Sequence, residues 1–260
     1  MDGSMIQRRL PGQPMLSAQH PIVPVALSFC SGFVDVICYL GLFHSFTAFI
    51  TGTLIITCSE LFDQDAALWI RVVILATFVV SAAIWVPVIK WMIKAGLPAV
   101  RMCLALECLF LALFLISTVA LPITPELLSL GTLLAAVSAT IAMSLQNVAM
   151  QMVLDFHIPT TVMTGNFMRF ILTIIEKVTG EAESGKPHGS GLKEASAQKA
   201  PGGPVASGIP GTSGARRYGR SLAAFIGGAV LGAACLATIG FWGLALPTLL
   251  LGAMALLTRD

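Results

Sequence analysis

Residues 160–169 read TTVMTGNFMR, and the meaning of this stretch decides the fold. The sequence around it is apolar enough for a membrane, yet Thr160, Thr161, Thr164 and Asn166 place hydroxyl and amide side chains inside it. A helix that only had to dissolve in lipid has no use for them, because an unpaired polar group costs several kcal/mol in hydrocarbon. Gly165 lets the backbone leave helical geometry or be approached closely. The stretch therefore reads as a polar break at membrane depth. A weaker copy, TAFITGTLI, stands at residues 47–55. Two such breaks in corresponding places of two halves point to a site in a transporter or channel. The same residues also serve plain helix packing, in which Thr and Gly let helices touch. On the residues alone both readings stay open.

Composition sets the class. Of 260 residues, 56% are hydrophobic and only 11% charged, with a mean hydropathy of +0.88; a soluble domain carries about 25% charged residues. This is the composition of a polytopic, all-α membrane helix bundle, in a membrane that composition does not specify. The net charge of +2 comes without a basic stripe, which excludes nucleic acid as a partner. The six cysteines, Cys30, Cys38, Cys58, Cys103, Cys108 and Cys235, lie in apolar segments without metal-ligand spacing and read as small packers. Neither a metal nor a cofactor is expected.

Residues 1–24, with four prolines and Arg8 and Arg9, read as a flexible tail rather than a secretory signal. Apolar segments follow at 25–43, 44–62, 66–94, 99–121, 127–154, 160–175, 221–239 and 241–257. The first contains Asp35, and an acid at membrane depth is by default a candidate functional residue; its alternative role is a lock between helices. Gln146 and Asn147 sit side by side in the fifth, and Glu107 lies in the fourth. Trp69 and Trp91 flank the third at interfacial positions, and Pro87 is expected to kink it. Residues 179–219, rich in Gly, Ser, Pro and Lys, are expected to form a disordered linker. Gly228 and Gly232 have the spacing of closely packed helices.

The two halves share a pattern. Gly32-Phe33-Val34-Asp35 aligns with Ser144-Leu145-Gln146-Asn147, and Thr51-Gly52-Thr53 with Thr164-Gly165-Asn166. The intervals between these pairs agree to within one residue. The chain thus divides into a first membrane repeat at 25–121 and a second at 127–258, the latter interrupted by the linker. If all eight segments crossed with the N-terminus inside, Lys90, Lys94 and Arg101 would fall outside, against the positive-inside rule. If the two Thr-Gly segments are broken or re-entrant, six spans remain, three per half, and the second half is inverted. The basic residues then gather on the cytoplasmic side, with Arg71 as the one misfit. Six full spans are preferred, with eight as the upper limit.

Ser31-Gly32-Phe33-Val34-Asp35, the run from Phe46 to Gly52, Ser144-Leu145-Gln146-Asn147 and above all Pro159-Thr160-Thr161-Val162-Met163-Thr164-Gly165-Asn166 resemble the YoaK-like family of multi-pass membrane proteins, domain of unknown function 1275. The Gly-rich span after Arg220 fits as well. Thr53 stands where that family usually has a second Asn, and the long linker is atypical of its compact members. The resemblance implies an integral membrane protein and little about substrate.

The function expected from the residues is a small-solute transporter or channel. Its candidate site residues are Asp35, Thr51, Gly52, Gln146, Asn147, Thr164, Gly165 and Asn166. The alternative is a membrane scaffold or accessory subunit without transport activity. No HExxH, nucleophile motif or paired catalytic acids are present, and the chain is not expected to be an enzyme. The expected partners are the lipid bilayer and a small solute; a homo-oligomer stays open.

Overall fold

The computed structural model describes residues 22–61, 67–123, 129–153, 171 and 212–258. Within them the chain is helical and forms no strand. The elements are α1 (Ile22–Gly41), α2 (Ile50–Ser59), α3 (Ala67–Lys94), α4 (Ala99–Ala120), α5 (Leu130–Met152), α6 (Thr212–Ile239), a 3-10 turn (Gly240–Leu244) and α7 (Ala245–Leu257). Five stretches are long and apolar enough to cross a membrane: α1, α3, α4, α5 and the stretch Gly219–Leu257 that holds most of α6, the turn and α7. The protein is a multi-pass membrane protein.

Local chemistry sets the boundaries. Pro24 is tolerated in the first turn of α1, where its missing N–H leaves no bond unmade. The helix starts at Ile22, so the last residues of the expected 1–24 tail belong to α1. Gly96, at φ +66°, ends α3: its N–H reaches Ile93 O, and the N–H of Leu97 reaches Met92 O. This left-handed cap is one that glycine adopts freely. Ser129 caps α5 by accepting from the N–H of Thr132. The expected linker also needs correction at its end. α6 begins at Thr212, inside the 179–219 stretch, because Ala215, Arg216 and Arg217 are good helix formers that continue the membrane helix outward. The rest of that stretch lies outside the described residues.

α1 and α5 form the centre. Of their most apolar windows, 67% and 78% respectively are buried, against 17% for α3. Leu27, Phe33, Val34 and Ile37 of α1 meet Ala135, Ala139 and Met143 of α5, with Leu111 and Phe114 of α4 and Leu251 of α7 completing one core. Val79, Val80, Ile84, Ile116, Leu249 and Leu256 point outward, as lipid-facing side chains should.

The contact between α1 and α6 is made backbone to backbone. A Cβ on Gly32 would lie 2.1 Å from the Phe225 carbonyl oxygen, and one on Gly228 would lie 2.1 Å from that of Phe29. Gly232 faces Phe33 and Val36 in the same way. The Gly228/Gly232 spacing thus does what it does in other membrane helix pairs, letting two helices approach past the limit that side chains set.

Candidate functional site

The first polar break is a hairpin that folds back against α1. α1 ends at Gly41, and the chain turns through Phe43 and His44, both at positive φ (52° and 56°). For residues with a side chain this left-handed geometry costs about 1–3 kcal/mol each, so the turn is held by its surroundings. Residues 45–49 then run back along α1 in non-helical form. Their depth is fixed by Asp35, which lies roughly 9 Å below the end of α1 at 1.5 Å per residue. Its Oδ1 accepts the N–H of Thr47 (2.9 Å) and of Ala48 (2.7 Å), and its Oδ2 accepts that of Phe49 (2.9 Å). These are the backbone donors just ahead of α2, which no helical carbonyl can satisfy.

From that depth α2 runs only ten residues, about 15 Å, half of the ~30 Å hydrocarbon core. Its end is fixed as well. Glu60, just past α2, forms an ion pair with Arg71 near the start of α3. Arg71 in turn donates to the Phe43 carbonyl at 2.8 Å. The end of α1, the end of α2 and the beginning of α3 therefore lie together, and α2 returns to the side from which the chain entered. Arg71 is 1% exposed. It is a buried clamp and not a loop charge, which removes the misfit it presented to the charge pattern.

Aromatic rings and one threonine fill the hairpin. Tyr39 stacks on Phe46 with ring centroids 4.9 Å apart, and Phe46 meets Phe49 edge-on at 5.6 Å. Gly52 is needed here, since a Cβ would lie 2.5 Å from Phe49 Cδ1 and 2.9 Å from Phe46 Cδ2. The Thr53 hydroxyl accepts from the N–H of Phe46 and donates to its carbonyl, both at 2.7 Å. A side chain with one donor and one acceptor suffices there, and Thr53 supplies both.

The candidate residues separate accordingly. Asp35 is buried and committed to the hairpin backbone. Gly52 packs inside, while its neighbour Thr51 is exposed on the outer face. Gln146 is buried; its amide donates to the Leu27 carbonyl (2.9 Å) and the Ser31 hydroxyl (3.0 Å) on the face of α1 that also carries Asp35. Asn147 is buried beside it. Thr164, Gly165 and Asn166 lie outside the described residues. Two participants were not among the candidate site residues: Arg71 and Glu60. Sequence gives a signal only for Arg71, as a lone charge inside an apolar segment.

A half-helix entered by irregular backbone, with an intramembrane acid on its N-terminus, sits in a chain whose residues 23–257 match the family described as Protein of unknown function (DUF1275). The chain belongs to that family. The match agrees with the resemblance carried by the Thr-Gly motifs. No curated protein and no solved structure matches the chain, so DUF1275 membership fixes kinship and leaves activity to the geometry.

Proposed function

We propose that this DUF1275 protein is a small-solute transporter or channel whose site lies at the paired breaks Thr51-Gly52 and Thr164-Gly165-Asn166. The observation that carries the reading is the hairpin that Asp35 holds against α1 ahead of the ten-residue α2. Irregular backbone at membrane depth occurs where it is buried in protein or lines a water-filled cavity, and half-helices at corresponding places of two repeats mark transport sites. The reading includes six full spans, a cytoplasmic N-terminus, no enzymatic activity, and the lipid bilayer and a small solute as partners. Assembly with further copies of the chain is compatible with it.

Helix contacts support the duplication on which the site depends. If α1, α3 and α4 correspond to α5, α6 and α7, the packing of α1 on α6 should have a counterpart in α5 on α3, and it does. The correspondence reaches single residues. Gly32 abuts the Phe225 carbonyl, and Ser144, which aligns with Gly32, donates to the Phe78 carbonyl at 3.3 Å. By the same correspondence Asn147 takes the place of Asp35 ahead of the second break.

A second reading, a scaffold or accessory subunit, is favoured by the same carboxylate: three N–H donors occupy Asp35, so in the first half most of its acceptor capacity is spent on the chain's own backbone. Flux of a panel of small solutes into proteoliposomes separates the two. The transport reading expects flux that Asn166→Leu abolishes while the protein stays monodisperse. Folded protein that passes no solute of the panel leaves the scaffold.

A further inference from the structure

Glu107 of α4 is a second intramembrane acid, and its situation is opposite to that of Asp35. It is 2% exposed, and its Oε1 has no hydrogen-bond partner. Gln146 of α5, 1% exposed, uses its amide nitrogen on α1 but leaves its own Oε1 without a partner. Both side chains line one small cavity of about 10 Å³, walled otherwise by apolar residues such as Val23, Leu27, Leu104 and Val153. That volume holds roughly one water molecule.

Among the described residues no cation neutralises the carboxyl. Lys90 and Lys94 of α3 and Arg101 of α4 are exposed, and Arg71 is bound to Glu60. Among the described residues the titratable groups near Glu107 are thiols: Cys103 and Cys108 on its own helix and Cys30 across on α1, within electrostatic reach. α5, α7 and the 3-10 turn bring no titratable side chain. A bare carboxylate in such surroundings is far costlier than the neutral acid. A metal ion is a poor occupant, since hard cations take about six or more oxygens and this cavity presents two unpartnered ones.

We propose that the Glu107–Gln146 cavity is a proton-binding site, in which Glu107 takes up and releases one proton. In the bound form the Glu107 O–H supplies the donor that Gln146 Oε1 lacks. On release that O–H bond breaks, the proton passes to water and the electron pair stays on the carboxylate. If the chain transports, the coupling proton sits here and not on Asp35; that role rests on the transport reading, whereas the site itself does not.

Infrared spectroscopy of the full chain in lipid bilayers tests the site without any solute, so its failure would leave the transport reading untouched. The wild type minus Glu107→Gln difference should contain a protonated-carboxyl C=O band at neutral pH. That band should shift in D2O, lose intensity as pH rises, and change frequency in Gln146→Leu. Absence of the band at every pH, or a band indifferent to both D2O and pH, overturns the proposal. Should Glu107→Gln fail to fold, Glu107→Asp takes its place. The band must then move, and one that stays put belongs to another acid and sinks the assignment.

Discussion

The guanidinium of Arg71 donates to the carbonyl of Phe43 at 2.8 Å, so the third helix begins where the first one ends. Because Glu60 shares the same guanidinium, α2 is closed into a hairpin by one side chain. Phe43 is also one of the two strained residues of the turn, and its carbonyl accepts from the Ser45 hydroxyl at 3.4 Å as well. Removing one partner of a buried ion pair costs about 3–5 kcal/mol because the other charge is stranded. Glu60→Gln leaves the 1% exposed Arg71 charge without its counter-ion and should therefore lower thermal stability in detergent strongly. Arg71→Met should lower it less, since the charge it strands, Glu60, is 25% exposed and water can reach it. Equal losses from the two would show that the pair is not the clamp.

Asp35 tests the other end of the hairpin. A reading from sequence would let Asn replace it with shape and hydrogen bonding kept. The geometry says otherwise: both oxygens accept N–H groups, and an amide nitrogen in either place would set donor against donor. An unsatisfied buried donor costs about 1–3 kcal/mol. Asp35→Asn should lose about that much stability, and Asp35→Ala, which strands all three donors, should lose more. Melting curves of the purified variants decide it; an Asn variant as stable as wild type would mean that the hairpin is held elsewhere.

Much of this was legible in the sequence because membrane burial writes itself in long apolar runs. α3 and α4 fall within a residue or so of the runs at 66–94 and 99–121. The break was legible as well, because Thr47, Thr51 and Gly52 have no reason to occupy a simple span. What the sequence could not reveal was partnership. Asp35 as a ligand for solute and Asp35 as a ligand for its own backbone demand the same residue, and only the position of the 47–49 amides distinguishes them. Arg71 looked like a misplaced loop charge for the same reason: a buried charge and a surface charge are spelled alike. The start of α6 was missed because helix propensity beyond the apolar run is a weak local signal that a Gly- and Ser-rich neighbourhood hides.

Neighbouring glycines supply an internal control on the α1–α6 contact. Gly228 has the Phe29 backbone where a side chain would go, whereas Gly227 has nothing within 4 Å. Gly228→Ala forces two backbones apart, an overpacking that costs about 1–3 kcal/mol. Gly227→Ala meets no obstacle and removes a helix-weakening glycine, a gain of up to about 1 kcal/mol. The two variants should therefore move the melting temperature in opposite directions. A Gly228→Ala protein as stable as Gly227→Ala would contradict the close approach.

The hairpin finally makes a topological prediction that separates it from a crossing. If residues 44–62 crossed the membrane, His44 and Leu61 would face opposite compartments. The Phe43–Arg71–Glu60 cluster requires them to share one. α3, at 28 residues, is about 42 Å long, more than the ~30 Å needed to span, so Lys94 must lie on the opposite side. Both His44 and Leu61 are exposed, as is Lys94, so single cysteines there can react. The background needs little change: Cys58, Cys108 and Cys235 are removed, whereas Cys30, Cys38 and Cys103 are buried and can stay. An impermeant thiol reagent applied to sealed cells should label His44→Cys and Leu61→Cys, together with Glu126→Cys. It should label Lys94→Cys and Ser190→Cys only after the membrane is opened. The charge pattern requires the last pair to be cytoplasmic, and the hairpin requires the first pair to agree with each other. His44 and Leu61 reacting from opposite sides would refute the re-entrant segment and with it the six-span, inverted arrangement. Lys94 and Ser190 reacting from opposite sides would refute the inversion alone and leave the hairpin standing.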